Sequence, residues 1–440
     1  MGRGWNRGPP GSYIISSFTL PRFFSTLVPM STPASAPAVP TALAPNRLTS
    51  LDAYRGFVML LMMGEVLRFC DVAGKLDEGG HGGLWAGMWA FLCRQQSHVE
   101  WVGCVMHDMI QPSFSFLVGV ALPFSLAARA GRGQGTAQMA GHAVLRAVLL
   151  TLLGVFLRST HASQTNWTFE DTLSQIGLGY VFLFLLGLRP VRDQWIGLGV
   201  ILVGYWAAFA LWPLPAADFD YGKVGVSAAW LKEHGHTGFA AHWQKNSNIA
   251  WAFDTWFLNL FSRAKPWLYN GGGYSTISFI PTLGTMVLGL IAGGVLRSGR
   301  DGRAKLKWLA TAGVVCLASG WALGALGICP VVKKIWTPSW VLFSGGWCCL
   351  LLAGFYALVD FHGWKRWAFP LVVVGTNSIA AYSIAHLWDG FIAKNLKTHL
   401  GQGFFGFAGV YEPFVFGATV LLVEWAILHW MWRRKIFLRL

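Results

Sequence analysis

The stretch HVEWVGCVMHDMIQPSFSFLVGVALPF, residues 98–124, places ionisable side chains at the start of a long apolar run. His98 precedes the run, and His107 and Asp108 stand where it begins. Ionisable groups at membrane depth are costly and usually functional. His98 can act as a general base, because an imidazole titrates near neutral pH, and Asp108 can orient that base or hold an ammonium group. The alternative is an ordinary interfacial histidine beside Trp101, and for His107 we expect a structural or supporting role.

A second pair of charges opens the first apolar segment, RLTSLDAYRGFVMLLMM, at residues 47–63. Thr49 or Ser50 can cap this helix. Asp52 and Arg55 are three residues apart, so their side chains can pair across one helical turn. A structural ion pair and a ligand-binding site are both open at this point, because buried charges often do no more than pair.

Composition identifies the environment in which these charges must work. Hydrophobic residues make up 54% of the 440 residues and charged residues 12%, which is about half the usual fraction, so we expect a multi-pass membrane protein. The net charge of +15 does not indicate nucleic acid, because the basic residues are scattered singly between apolar blocks. The seven cysteines have no CxxC pair and no histidine at zinc spacing, so we expect neither a disulfide framework nor a metal site.

The hydropathy pattern predicts an all-α polytopic membrane protein. Apolar runs long enough to cross the bilayer predict ten transmembrane helices, with a short eleventh candidate at 84–93. The ten lie near residues 51–70, 108–128, 142–159, 173–188, 194–213, 276–297, 305–327, 338–360, 366–391 and 411–431. Residues 1–45 are rich in Pro, Ser, Gly and Ala and are expected to be a disordered extension, which leaves 46–440 as the transmembrane domain.

Basic residues predict the orientation of these helices. Most of them fall on alternate loops, so the positive-inside rule places both termini in the cytoplasm and the segments 71–107 and 214–274 outside. The short loops on the opposite side hold only a few cations, which are Lys75, Arg94, Arg158, Lys333, Lys334, Lys394 and Lys397. His98 would therefore open toward the outer side.

Six motifs, taken in order, resemble those of the heparan-α-glucosaminide N-acetyltransferase family, a branch of the transmembrane acyltransferases. The first motif is matched by Ser50, Asp52, Arg55 and Gly56, and the second by His98, Trp101, Gly103, Asp108 and Pro112. The segments LSQIGLGY (173–180), GGGYSTISFIPTLGTMVLGLIAG (271–293), WTPSW (336–340) and GTNSIAAYSIAH (375–386) match the rest. The resemblance covers roughly residues 47–390.

The resemblance implies a membrane-embedded acyltransferase that uses acetyl-CoA from the cytoplasmic side. The acetyl group would pass to an amine or hydroxyl of an amino sugar or other glycan on the outer side. His98 would be the general base or the carrier of the acetyl group, with Asp108 orienting it. Asp52 and Arg55 would lie toward the CoA pyrophosphate.

One departure concerns the acceptor. The family has an asparagine near the outer end of the first helix, where this chain has MMGEVLRF, so Glu65 becomes a substrate-binding candidate. Trp101, Asn377 and His386 are further candidates for contact with the acceptor. We expect no counterpart of the family's amino-terminal luminal domain, and the loops are compact, which together favour a bacterial inner membrane. The resemblance leaves homodimerisation open.

Two rival functions are compatible with the same charges. A transporter or lipid-handling protein would use them as a solute or proton path, but it predicts repeat symmetry between two halves, and none is found in the sequence. A structural partner that has lost activity would keep the motifs without the chemistry. Binding of acetyl-CoA distinguishes the acyltransferase from both.

Overall fold

The computed structural model describes residues 48–80 and 82–438, so the predicted extension at 1–45 lies outside the described residues. The described chain is helical, and its only β-type pairing is an isolated bridge between Val102 and Val332. The α-helices are α1 Thr49–Met63, α2 Phe69–Glu78, α3 Leu84–Gln96, α4 Ile110–Ala130, α5 Thr136–Leu157, α6 Thr172–Gly187, α7 Val191–Ala210, α8 Ala228–His234, α9 Ile249–Phe257, α10 Phe279–Arg297, α11 Gly302–Ala325, α12 Pro338–Phe355, α13 Phe369–Gly375, α14 Ser378–Leu387, α15 Asp389–Leu400 and α16 Glu412–Arg433. Short 3₁₀ segments are Gly64–Leu67, Met106–Met109, Tyr221–Val224, Gly238–Trp243, Leu258–Leu260, Thr276–Ser278 and Phe404–Tyr411, and a π-helix spans Tyr356–Phe361.

Seven helices of the described chain are long and apolar enough to cross a bilayer, and the number is eight if the bent pair α13–α14 forms one span. Each predicted crossing coincides with a helix, but α1 has 15 residues and α6 has 16. Helices of that length fall short of the roughly 20 residues that a crossing needs. The predicted all-helical membrane fold is confirmed, whereas the number of ten crossings and the cytoplasmic termini stay predictions.

Helix α10 lies at the centre of the bundle. Of its 18-residue apolar stretch, 78% is buried, whereas only 17% of the corresponding stretch of α11 is buried. Its closest neighbour is α4, and glycines permit that contact. A Cβ atom at Gly119 would collide with the carbonyl oxygen of Met286, and one at Gly289 would collide with that of Phe116. The small residues of the GTMVLGLIAG segment therefore bring two backbones together, as in other membrane helix pairs.

Glycine also explains the end of the first motif. A Cβ atom at Gly56 of α1 would strike the carbonyl oxygen of Leu371 in α13, and one at Gly375 would strike that of Asp52. The expected cap of α1 by Thr49 or Ser50 is not what the structure has. The carboxylate of Asp360 accepts hydrogen bonds from the backbone N–H groups of both residues, because α12 and its π-turn end beside α1.

The expectation of no disulfide is wrong for one pair of cysteines. Cys70 in α2 and Cys93 in α3 are joined, with their sulfur atoms 2.08 Å apart. The two helices pack through a small apolar cluster that includes Val72, Leu76 and Trp89, and this packing aligns cysteines that no sequence motif links. The remaining cysteines of the described chain are free thiols.

Candidate active site

The structure brings His98 and Asp108 together and adds a lysine. The Nδ1 atom of His98 lies 2.7 Å from Oδ1 of Asp108, and Nζ of Lys333 lies 3.0 Å from the same oxygen. Lys333 Nζ is also 3.2 Å from His98 Nδ1. The side chains of Asp108 and Lys333 are 1% and 5% exposed, whereas that of His98 is 43% exposed. The buried Asp108–Lys333 ion pair therefore supports the partly exposed imidazole of His98.

Two loops position this group. Residues 98–105 lie beside the loop before α12, where Gly103 donates its N–H to the carbonyl of Val331 over 3.1 Å and Val102 bridges Val332. Gly103 has φ +121°, in the region that side chains disfavour, which accounts for the glycine of the second motif. Asp108 lies in the 3₁₀ turn before α4, and its Oδ2 accepts from the N–H of Val105 at 3.2 Å.

The short contact between His98 and Asp108 determines which ring nitrogen carries the proton. A 2.7 Å separation between Nδ1 and a carboxylate oxygen requires a hydrogen between them, and Lys333 already donates to that oxygen. Nδ1 is therefore the donor, and Nε2 holds the free lone pair of the neutral ring. Burial lowers the pKa of His98 against the opposing effect of Asp108, so the ring is neutral at neutral pH. Burial also lowers the pKa of Lys333, against the attraction of Asp108.

His98 opens into a cavity of about 340 Å³, which we call the histidine cavity. Its polar lining includes Glu65, His98, His107, Arg158, Lys333 and His386. His107 forms a second histidine–carboxylate pair in which its Nε2 lies 3.0 Å from Oε1 of Glu65. The ring centroids of His98 and His107 are 4.6 Å apart. Two acid–imidazole pairs thus meet in one cavity.

The facing wall carries an arginine. Arg158, at the end of α5, donates through Nε to Oδ2 of Asp171 over 3.2 Å, and the hydroxyl of Tyr382 donates to the same carboxylate. Glu170 also lines the cavity and accepts a hydrogen bond from the amide of Asn270. Burial raises the pKa of Glu170. Cationic, anionic and hydroxyl groups on this wall can contact a hydroxylated ligand.

A second cavity, of about 470 Å³, has Phe114 in common with the first in its lining, and we call it the arginine cavity. Its charged lining consists of Asp52, Arg55, Arg129, Arg132 and Arg146. Arg55 lies 3.6 Å from Asp52, and Arg146 donates to the hydroxyl of Tyr180 over 2.9 Å. Phe114 of α4 lines both cavities. Four guanidinium groups around one carboxylate can bind a phosphorylated ligand bidentately.

The predicted site residues fall into three groups. His98, Asp108, Glu65 and His386 lie in or against the histidine cavity, and Asp52 and Arg55 line the arginine cavity. Trp101 is buried and lines neither cavity, and its Nε1 donates to the carbonyl of Trp243 over 3.2 Å, so it packs the 214–274 segment against the bundle.

Asn377 does not line the histidine cavity either. It is completely buried, its amide donates to the carbonyl of Ile436, and its oxygen accepts from the N–H of Leu438. Asn377 therefore ties the carboxyl-terminal tail to the bend between α13 and α14, which turn by 80°. Contact of Trp101 or Asn377 with an acceptor is not what their positions favour.

Sequence reasoning missed several residues of these cavities. Some of these residues were used only to assign the topology, and the others were not considered as site residues. They are Lys333, Arg158, Glu170, Arg129, Arg132 and Arg146. A signal was available for Lys333, because Lys333 and Lys334 are separated from the WTPSW motif by Ile335 alone. Cations on the sparsely charged side of a membrane protein are candidates for a site.

The fold and the site define a class of protein. The chain is an all-helical, multi-pass membrane protein whose interior holds a histidine–aspartate–lysine group next to an arginine-lined cavity. Comparison with known proteins then gives specific relatives. The chain is 23% identical over 432 residues to human heparan-alpha-glucosaminide N-acetyltransferase, covering 89% of this chain and 60% of that enzyme. It is 22% identical over 378 residues to the mouse protein of the same name, covering 77% of this chain and 53% of that enzyme.

The resemblance to heparan-α-glucosaminide N-acetyltransferases is therefore confirmed as a distant relationship. The chain spans 53% to 60% of the length of these relatives. No protein-family profile matches the chain.

Proposed function

We propose that this protein is a membrane acetyltransferase that moves the acetyl group of acetyl-CoA to an amine on an amino-sugar acceptor. The relatives are named for transfer to a glucosaminide nitrogen. The observation that carries the proposal is that the histidine and arginine cavities lie on either side of one residue, Phe114, which lines both. A donor with a phosphorylated end and a reactive acyl end needs both kinds of site, joined to each other.

One face of α4 connects the two cavities. Ile110, Gln111 and Phe114 line the histidine cavity, and Phe114, Ser125 and Arg129 line the arginine cavity. From Phe114 to Arg129 the helix rises roughly 22 Å, at about 1.5 Å per residue. A long, narrow ligand with phosphates at one end fits this arrangement, since the arginines lie far from His98. CoA, with its pantetheine arm, is such a ligand.

The residues around His98 support acyl transfer. Nε2 of the neutral imidazole is free to take a proton from an acceptor, and Asp108 stabilises the imidazolium that results. Lys333 keeps Asp108 ionised. The alternative in which Nε2 carries the acetyl group uses the same lone pair. Acetyl-CoA without acceptor distinguishes these routes, because only the second leaves an acetylated wild-type protein that mass spectrometry detects and that His98→Ala lacks.

We further propose that the histidine cavity opens on the outer side and the arginine cavity on the cytoplasmic side. The basic loops support the second part, since Arg129, Arg132 and Arg146 lie on the side that the positive-inside rule assigns to the cytoplasm. The Cys70–Cys93 disulfide supports the first, because disulfides persist in oxidising compartments and α3 leads directly to His98. Reporter fusions after Lys307 test this orientation, and activity only on the outer side would invert it. A bacterial inner membrane stays a prediction.

The function is tested on the purified full chain in detergent or nanodiscs, with acetyl-CoA and glucosamine as probes. We expect wild-type protein to form N-acetylglucosamine and His98→Ala to form none. Glucose, which lacks the amine, is the matched acceptor control. A wild-type protein that binds no acetyl-CoA would refute the acetyltransferase and favour a transporter.

The donor site is tested by removing single guanidinium groups. Arg129→Gln and Arg146→Gln should each weaken acetyl-CoA binding roughly ten- to a hundredfold, the value of a charge-assisted hydrogen bond. The exposed Arg192 of α7, changed to Gln, is the matched control and should bind normally. Arg55→Gln should behave like the first two. If it instead lowers only stability, and Asp52→Asn restores it, then Arg55 has no part in donor binding.

A further inference from the structure

The two histidine–carboxylate pairs expose different members to the histidine cavity. In the His98–Asp108 pair the carboxylate is buried, with 1% of the side chain exposed, and the imidazole opens to the cavity. In the His107–Glu65 pair the imidazole is buried, with 8% exposed, and the Glu65 side chain is 61% exposed. One pair therefore presents a base with a lone pair, and the other presents an anion.

An exposed carboxylate in a cavity attracts a cation. We propose that Glu65, supported by His107, binds the acceptor amine as its ammonium ion and takes its first proton. The inference rests on the acetyltransferase proposed above and specifies the acceptor as a protonated amine.

The two pairs divide the protons of the reaction between them. An ammonium group carries three, and the first passes to Glu65 and is shared with His107. The free amine then attacks the thioester carbonyl carbon, so the C–N bond forms while the C–S bond breaks. His98 takes the second proton and returns it to the departing thiolate. The third stays on the amide, and the first leaves through the open side of Glu65, so one proton is released in each turnover.

The neighbours of Glu65 are consistent with an anion at this position. The titratable groups around the cavity come from five parts of the chain: His98 and His107 before α4, Arg158 and Glu170 between α5 and α6, Lys333 before α12, Tyr382 and His386 in α14, and Tyr274 before α10. Asp389 of α15 also interacts electrostatically with Glu65. Cationic or basic groups outnumber carboxylates on these walls, so an ionised Glu65 is stabilised while its outer face stays open to a ligand.

Binding of glucosamine to the full chain tests the ammonium site without catalysis. Wild-type protein should bind glucosamine at least tenfold more tightly than N-acetylglucosamine, which has no ionisable amine. Glu65→Gln should weaken glucosamine binding roughly ten- to a hundredfold and leave N-acetylglucosamine unchanged. Asp71→Asn, which neutralises an exposed carboxylate of α2 outside the cavity, is the control and should bind as wild type does.

The pH dependence separates this role from a structural one. Wild-type affinity for glucosamine should fall as pH rises through the pKa of the sugar amine, whereas the affinity of Glu65→Gln should change little. For transfer, kcat/KM of Glu65→Gln should follow the fraction of free amine and so rise with pH more steeply than in wild type. His107→Gln, which keeps a hydrogen-bond donor near Glu65, should show a smaller loss of affinity.

Four results would overturn all or part of the inference. Equal affinity of wild-type protein for glucosamine and N-acetylglucosamine would remove the ammonium site, and so would a Glu65→Gln variant with unchanged affinity and pH profile. Wild-type protein that binds glucosamine through Glu65 but transfers no acetyl group would refute the acetyltransferase, and the proton step with it. Transfer by wild-type protein with Glu65→Gln indistinguishable from it would refute the role of Glu65 alone.

Discussion

Replacing Asp108 tests the buried ion pair and the proposed base together, because stability and activity should respond differently to a second substitution. Asp108→Asn removes the charge that Lys333 contacts at 3.0 Å and the acceptor of the His98 Nδ1–H at 2.7 Å. Both partners of the ion pair are almost completely buried. Leaving a buried ammonium without its carboxylate costs about 3–5 kcal/mol. We therefore expect a lower melting temperature and a matching loss of unfolding free energy.

A second change should restore stability without restoring activity. Lys333→Met removes the ammonium and keeps an apolar chain of similar length. In the Asp108→Asn background it should recover most of the lost stability, because no uncompensated charge is left. Transfer should stay about 10²- to 10⁴-fold below wild type in both variants, since asparagine cannot stabilise the His98 imidazolium.

The assays are thermal unfolding in one detergent and acetyl transfer to glucosamine at saturating acetyl-CoA. The exposed Asp71→Asn serves as the control for loss of a carboxylate and should match wild type in both. A normal melting temperature for Asp108→Asn would refute the buried ion pair. Recovery of transfer in the double variant would refute the role of Asp108 in supporting His98.

Four further predictions concern the base, the 214–274 segment and the helix bundle. His98→Ala should abolish transfer and change the melting temperature little, because the side chain is half-exposed; a stable, fully active variant would exclude His98. Burial lowers the pKa of His98, so kcat/KM should fall with decreasing pH only below about 6.5, the ordinary histidine value, and a midpoint above it would contradict the assignment. Burial raises the pKa of Asp254 to about 7. Between about pH 4 and pH 7 the folded chain therefore holds a proton on Asp254 that the unfolded chain has already released. Stability should therefore fall as pH rises through this window, and Asp254→Asn should flatten the melting profile. Gly119→Ala places a methyl group against the Met286 carbonyl and should cost about 1–3 kcal/mol or more, whereas Gly294→Ala enters open space and should not; equal melting temperatures would contradict the close packing of α4 and α10.

Much of the fold follows from local features of the sequence. Each predicted apolar segment contains a helix, because runs of apolar residues with satisfied backbone hydrogen bonds form helices in a bilayer. Helix length was less predictable. The apolar run near 51–70 is divided, since α1 ends at Met63 and a 3₁₀ turn follows. Hydropathy measures composition along the chain, and it does not detect where tertiary contacts interrupt a helix.

The candidate site, like the fold, was predictable from the sequence only in part. Motif order singled out His98 and Asp108, and they are close because only ten positions separate them; their catalytic role stays a prediction. The sequence also indicated that Glu65 and His386 could meet a ligand, and both line the histidine cavity. These residues stand at helix ends, where the change from apolar to polar side chains is visible without a structure.

Only the tertiary structure decided which distant residues complete the site. Lys333 meets Asp108 across 225 positions, and Asp360 caps α1 across more than 300. The Cys70–Cys93 disulfide and the position of Phe114 in the lining of two cavities are likewise products of packing. Composition and periodicity indicate which face of each helix can be buried. Which helix packs against that face depends on how all the helices fit together, including close contacts at single glycines such as Gly119. Contacts between helices are therefore determined by the assembled bundle, whereas the helices themselves can be predicted from the local sequence.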